Sequence, residues 1–295
     1  MRRGAASPPT SPSASSSTSG NADLFTWTSL DDEAVLLDEA SRSERVAVEM
    51  IGESVNRNPI RLVRLGTLAA PAGTRAAVLL VGSQHGDEPA GREAILRFVA
   101  GITDSLDRDL AELLDRWPVV AVPTTNPDGI DTGSRWNAND VDLNRDHVAQ
   151  VQPETRALHS VLARTRPLVV LDMHESRKHV KPDSLVEFSR GHHPRIHPRV
   201  TVASQTLLDR LLARATAHAY PTGEYESGTA DDARSLRNAA ALNGHVAALT
   251  ESNANHDGTP GRAARVKAQL AALDETLRHA TEHAAELVQI AGDDI

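Results

Sequence analysis

Ala76-Ala77-Val78-Leu79-Leu80-Val81, followed by Gly82-Ser83-Gln84-His85-Gly86-Asp87-Glu88, is the stretch on which the fold turns. Six apolar residues in an unbroken run, ended by a turn, mark a strand covered on both faces. Over 89–100 the pattern changes to that of a helix. The same strand pattern recurs at Val119-Val120-Ala121-Val122, which runs into an Asn126-Pro127-Asp128-Gly129 turn, at Leu168-Val169-Val170-Leu171-Asp172-Met173, and at 245–250. Helical patterns fit 153–164, 200–219 and 230–242. Over 262–290, Val266, Leu270, Leu273, Leu277, Ala280, Ala284 and Leu287 form one apolar stripe, the mark of a long amphipathic helix. Strands alternating with helices predict an α/β fold. The expected architecture is a single domain over 21–295, with a mainly parallel, mixed central sheet flanked by helices.

Composition narrows the chemistry. The chain has 295 residues, long enough to bury a sizeable core, and 40% of them are hydrophobic. With 31 basic and 40 acidic residues its net charge is −9, which disfavours a nucleic-acid partner. The absence of Cys excludes disulfides, thiolate chemistry and any Cys-based zinc site. The first twenty residues hold seven Ser and three Pro and too few apolar side chains to offset chain entropy, so 1–20 reads as disordered. Arg2 and Arg3 resemble the start of an export signal, but no apolar core follows them; the reading is cytoplasmic, or secreted if a signal peptide has been removed. No stretch approaches the ~18 apolar residues of a membrane span.

Each apolar strand ends in a chemically loaded segment, and in open α/β sheets ligands bind at those ends. His85 and Glu88, three apart in a turn entering a helix, can aim a nitrogen and an oxygen at one point, with Gly86 permitting the turn. His174 ends the third strand and supplies a second imidazole. Two His and one Glu form the open three-ligand set of a catalytic zinc, one ion per chain. Glu251 ends the fourth strand, where a carboxylate could move a proton between water and a leaving amine. The same His-x-x-Glu spacing at His279/Glu282 and His283/Glu286 lies within the long helix and reads as solvent-facing pairs. Between the second and third strands a polar loop carries Arg135 and the string Asp142-Leu143-Asn144-Arg145. Its guanidiniums suit a carboxylate or an oxyanion.

Taken in order, His-x-x-Glu, Asn-Pro-Asp-Gly, the Arg, Asp-Leu-Asn-Arg, a strand-end His and a late Glu resemble the zinc carboxypeptidases of the carboxypeptidase A type, over roughly 60–255. The resemblance implies that His85, Glu88 and His174 hold zinc and that Glu251 is the general base. It implies that Arg135 stabilises the oxyanion, that Asn144 and Arg145 hold the substrate's terminal carboxylate, and that Asp142 orients the first zinc His. It also points to Tyr225, in Tyr225-Glu226-Ser227-Gly228-Thr229, as a tyrosine covering the substrate, against the alternative of an exposed loop tyrosine. The implied activity is hydrolysis of a C-terminal peptide or peptide-like amide bond.

Two other readings stay open at this point. Aspartoacylase and succinylglutamate desuccinylase deacylases share His-x-x-Glu, Asp-x-Asn-Arg and a strand-end His, and would make the substrate a small acylated amino acid. A non-catalytic binding module on the same fold is the third. Side-chain preference depends on 230–243, where Asp231, Asp232, Arg234 and Arg237 leave basic and acidic substrates equally open.

Overall fold

The apolar runs are four neighbouring strands at the middle of one sheet. The structure is a computed structural model that describes Met1 and residues 26–66, 75–104, 108–226 and 230–292. Apart from Met1, the segment 1–20 expected to be disordered lies outside the described residues. The strands are β1 (Val46–Glu53), β2 (Pro59–Leu65), β3 (Val78–Gly82), β4 (Val119–Val122), β5 (Val169–Ser176), β6 (Val186–Arg190), β7 (Thr222–Glu224) and β8 (Val246–Asn253). The helices are α1 (Leu30–Ala40), α2 (Pro89–Asp104), α3 (Arg108–Arg116), α4 (Pro127–Thr132), α5 (Pro153–Thr165), α6 (Pro198–Ala217), α7 (Leu236–Leu242), α8 (Gly258–Glu282) and α9 (Ala284–Gly292).

Among the described residues the sheet runs β1-β2-β4-β3-β5-β8-β6-β7. Its centre, β4-β3-β5-β8, is parallel throughout. β1 and β2 add to one side antiparallel, and β6 pairs antiparallel with β8 on the other. The expected mixed, mainly parallel sheet is what is found. β3, β4 and β8 are buried along their whole length, as strands covered on both faces must be.

Side-chain alternation on β5 decides what each face carries. Met173 and Glu175 face α2: a Cβ on Gly91 would come within 2.6 Å of Met173 Cβ, and the Ala90 N–H donates to Glu175 Oε2 at 2.6 Å. α8 covers the same face, where Gln269 accepts from Thr250 and donates to Ser252 Oγ and the His174 carbonyl. Asp172 and His174 therefore point to the opposite face. In the same first turn of α2, buried Arg92 donates to Glu33, Thr124 and the carbonyls of Thr28 and Ser29, tying α1 to the sheet.

Three expectations are corrected. The helix expected over 230–242 begins only at Leu236. Asp232 accepts from the Arg234 N–H, and Asn238 Nδ2 holds the carbonyls of Ala230 and Asp232, which folds the preceding segment into a turn. The long C-terminal helix is broken at His283 (φ −106°, ψ 13°), after which α9 packs against α6. His279 is not solvent-facing; it is 1% exposed, with neither ring nitrogen hydrogen-bonded. α8 lies between α2 and α6, so two faces are covered and not one stripe.

Burial, then the nearby His283 and Arg210, push the His279 pKa down to about 4. An unfolded His titrates near ~6.5, so below that pH the unfolded chain gains a proton that the folded chain does not bind until about pH 4. Stability from this group is complete above pH ~6.5 and falls as pH drops toward 4. His279→Leu should therefore lose less thermal stability than the parent between pH 7 and pH 5, a difference of about 2 kcal/mol. Parallel melting curves for the two proteins would contradict this.

Candidate active site

β3 and β5 are paired in parallel with Gly82 opposite Met173, so the residues just past Gly82 meet His174 at one sheet edge. The turn leaves β3 through Ser83, whose φ of 42° is left-handed and strained for a non-glycine residue. Thr125 and Asn126 donate backbone N–H groups to the carbonyls of Gly82 and Ser83, zipping the exits of β3 and β4 together. Gly86, expected from sequence to permit the turn, does so through a close backbone approach and not through a left-handed conformation. A Cβ there would lie 1.9 Å from the Gly129 carbonyl carbon. Gly129 belongs to Asn126-Pro127-Asp128-Gly129, where Asn126 caps α4 by accepting the Gly129 N–H. Asp128 anchors that turn to the β1–β2 hairpin through Ser54, Asn58 and the Asn56 N–H.

One atom each from His85, Glu88 and His174 lies within 4.8 Å of the others. His85 Nδ1 is 2.8 Å from Glu88 Oε1, His174 Nδ1 is 2.7 Å from Glu88 Oε2, and the two Nδ1 atoms are 3.2 Å apart. Tetrahedral zinc with bonds of about 2.0–2.1 Å separates its donors by roughly 3.3 Å. The two imidazole nitrogens stand close to that spacing, and the Glu88 oxygens lie inside it, so a small outward shift of one carboxylate would fit the set to that ion. The opposite nitrogens are also held. His85 Nε2 sits 2.9 Å from Asp142 Oδ1, and His174 Nε2 sits 2.9 Å from Asp172 Oδ1. An Nε2–H donated to a carboxylate leaves the Nδ1 lone pair for a metal. Asp172 went unassigned at the level of sequence; its signal is its place two residues before His174, on the same strand face. It also accepts from Gln84 Nε2 at 2.7 Å.

Burial opposes charge on both imidazoles, but Glu88 with Asp142, and Asp172 with Glu88, outweigh it, so both His pKa values are raised. Burial would raise Glu88, yet the two His reverse the sign and hold it below the usual carboxylate range. An anionic carboxylate between two basic imidazoles is a set that exchanges protons for a divalent cation. Glu251 is paired in register with His174 across β5 and β8 and is 7% exposed. Burial, then Glu88, pushes its pKa up to about 8. A divalent cation beside it would draw that value back down.

All of this opens on a cleft of about 570 Å³. Arg135 donates to Glu88 Oε1 at 2.9 Å and Asp142 Oδ2 at 3.0 Å. Arg145 lines the cleft with its Nη1 on the Asn144 carbonyl and its Nε 3.6 Å from Asp232. Asn144 is more occupied than the sequence suggested: its Oδ1 accepts the Leu236 N–H, and its Nδ2 lies 3.1 Å from His174 Nε2. Tyr225 is not an exposed loop residue; it is 8% exposed, packs with Val180 and Leu249, and lines the cleft. Its neighbours Ser227, Gly228 and Thr229 lie outside the described residues. Of the four charges in 230–243, only Arg237 lines the cleft.

A sequence profile of the zinc carboxypeptidase family matches residues 35–240, which include His85, Glu88 and His174 but not Glu251. Carboxypeptidase SOL1 of Arabidopsis thaliana is 34% identical over 139 residues, 43% of this chain and 28% of that protein. Carboxypeptidase E of Caenorhabditis elegans is 33% identical over 112 residues, 32% of this chain and 24% of its own length. The chain thus spans less than a third of these relatives. Among solved structures, a metallo-carboxypeptidase of Pseudomonas aeruginosa in complex with (2-guanidinoethylmercapto)succinic acid superposes with a TM-score of 0.69 at 22% identity, over 88% of this chain and 69% of that one. Bovine thrombin-activatable fibrinolysis inhibitor gives 0.68 at 15% identity, over 88% and 98%. The fold is shared. The deacylase alternative is not favoured by the family matched. No helix among the described residues is long and apolar enough to cross a membrane.

The backbone contact between Gly86 and Gly129 makes a direct prediction. Gly86→Ala should destabilise by more than the ~1–3 kcal/mol of ordinary overpacking, because the obstacle is backbone and cannot swing aside. A urea midpoint unchanged from the parent would contradict the contact.

Proposed function

The chain belongs to the zinc carboxypeptidase family, and we propose that it is a zinc-dependent carboxypeptidase that removes the C-terminal residue of a peptide, or peptide-like amide, bearing a free carboxylate. The observation that carries this reading is the meeting of the His85/Glu88/His174 donor set, Glu251, Arg135 and Arg145 in one cleft. His85 Nδ1, the Glu88 carboxylate and His174 Nδ1 would hold the ion, with Asp142 and Asp172 fixing the two rings. Bound there, zinc would supply Lewis acidity toward a carbonyl oxygen and toward water.

The remaining roles fall to the chain's own groups. Glu251, buried and beside His174, takes a proton from the attacking water at its free carboxylate oxygen and returns it to the leaving nitrogen. Burial raises its proton affinity and a neighbouring divalent cation would lower it, a balance that suits a group that both takes and returns a proton. Arg135 supplies a cation where the scissile oxygen becomes negative, a contribution realised in the transition state. Arg145, further along the loop, receives the substrate's terminal carboxylate, with the side-chain amide of Asn144 beside it. Tyr225, in the wall of the same cleft, shields the bond from bulk water.

Purified protein should carry one zinc per chain by metal analysis and hydrolyse peptides with free C-termini but not their amidated twins. Glu251→Gln should keep zinc content and melting temperature while kcat falls by ~10²-fold or more. Hydrolysis by that variant at the parent's rate would overturn the proposed chemistry.

The two arginines should separate kinetically. Arg145→Ala should act mainly on KM, whereas Arg135→Ala should lower kcat by ~10²–10³-fold. Losses confined to kcat in both variants would show the roles to be divided wrongly.

A further inference from the structure

Next to His174 runs a row of buried polar side chains that the chemistry proposed above does not use. Asp172 is wholly buried, and the two donors it receives, His174 Nε2 at 2.9 Å and Gln84 Nε2 at 2.7 Å, meet the same oxygen, Oδ1. Its Oδ2 is hydrogen-bonded to none of the described residues. A buried carboxylate so sparsely served depends on each donor it has. Gln84, 1% exposed, carries the row outward. Its Oε1 lies 2.7 Å from Nε2 of His147, and His147 Nδ1 lies 3.1 Å from Nε2 of His159 on α5. His147 is buried and His159 half-buried. None of Gln84, His147 and His159 is among the described residues that line the cleft.

Only one pattern of hydrogens satisfies this row. A carboxylate can only accept, so the NH2 end of the Gln84 amide must face Asp172. That leaves the Gln84 oxygen for His147, whose Nε2 must then carry a hydrogen. Burial, then the neighbouring His159, pushes the His147 pKa down to about 3, so the ring is neutral and its Nδ1 accepts from His159 Nε2. The two ends of an amide are alike in shape, and without a donor at His147 nothing selects between them. An amide turned end for end would set its oxygen against the Asp172 carboxylate, two acceptors facing each other away from water. We propose that His147 is a positioning residue for the metal centre: acting through Gln84, its Nε2–H keeps a donor on Asp172 and so holds the His174 ring with Nδ1 turned to the ion. The quantity it sets is how tightly zinc is held, not how the cleft fits a substrate. This rests on the reading of His85, Glu88 and His174 as a zinc set.

The test measures zinc affinity by competition with a chromophoric chelator, in the absence of substrate, for three variants at this position. Gln places an amide N–H where His147 has its Nε2–H. Asn can still accept from His159 but is too short to reach Gln84, and Leu does neither. His147→Asn and His147→Leu should each weaken zinc binding about 10-fold, the low end for groups that orient a metal ligand, while His147→Gln stays within about threefold of the parent. In zinc-saturated protein KM should be unchanged in all three. Equal weakening in all three would make His147 a packing residue, and unchanged affinity in all three would leave it without a part in the centre; either result overturns the proposal. Gln84→Met should weaken zinc binding by a similar factor alone and combined with His147→Asn, because both act through one chain of bonds; additive losses would overturn it as well. Should the variants not fold, nitrogen NMR of the parent's imidazoles decides: His147 must carry its hydrogen on Nε2, and a hydrogen on Nδ1 instead defeats the proposal. A parent protein that binds no zinc removes the donor-set reading and this inference together, whereas a zinc protein whose variants are all insensitive defeats this inference alone.

Discussion

Two imidazoles can offer the same ring nitrogen to one point only if something holds the other nitrogen of each. Here Asp142 does so for His85 and Asp172 for His174, both at 2.9 Å. A carboxylate in that position fixes the tautomer, stops the ring from turning, and raises the basicity of the metal-facing nitrogen. The two carboxylates come from different directions. Asp172 shares a strand face with its His, so the β5 pleat alone brings them together. Asp142 arrives from the far side of a long loop, where it also caps the turn at Leu143–Arg145 and is pinned by Arg135. The loop that carries the candidate substrate-binding arginines is thereby fastened to the donor set.

What could be read from the sequence was what single segments encode. The runs at β3, β4, β5 and β8 announce themselves because the stretch of each strand that is covered by helices on both faces is continuously apolar. β1 and β2 went unread for the opposite reason. β1 is only half-covered, and its exposed Glu49 and Glu53 interrupt the apolar pattern. β6 and β7 are short, and their pairing is set by β8 and not by any periodicity of their own. His279 shows the same limit in a helix. An apolar stripe reports one buried face, and only the position of α8 between α2 and α6 shows that a second is covered.

The candidate site divides along similar lines. Residues that recur at strand ends, His85, Glu88, His174 and Glu251, stood out because burial and chemistry coincide there. The true work of Gly86 did not, since a close approach between two backbones 43 positions apart leaves no trace in either segment alone. Nor could sequence choose among Asp231, Asp232, Arg234 and Arg237. Asp232 turns out to be a local tether for Arg234 and Arg145, and only the start of α7 at Leu236 decides which neighbour looks into the cleft.

His85 and His174 are 89 positions apart, and they meet only because β3 and β5 are adjacent. A donor set made from distant segments does not exist until the central strands have paired, and such non-local pairing comes late in folding. The unfolded chain therefore has little to offer a divalent cation, while the finished sheet has a complete site. Whatever ion occupies it binds the native state almost exclusively, and its binding free energy is added to the stability of the fold. The centre would then act as a clasp between the two halves of the sheet, and the protein's lifetime under stress would track the local concentration of metal.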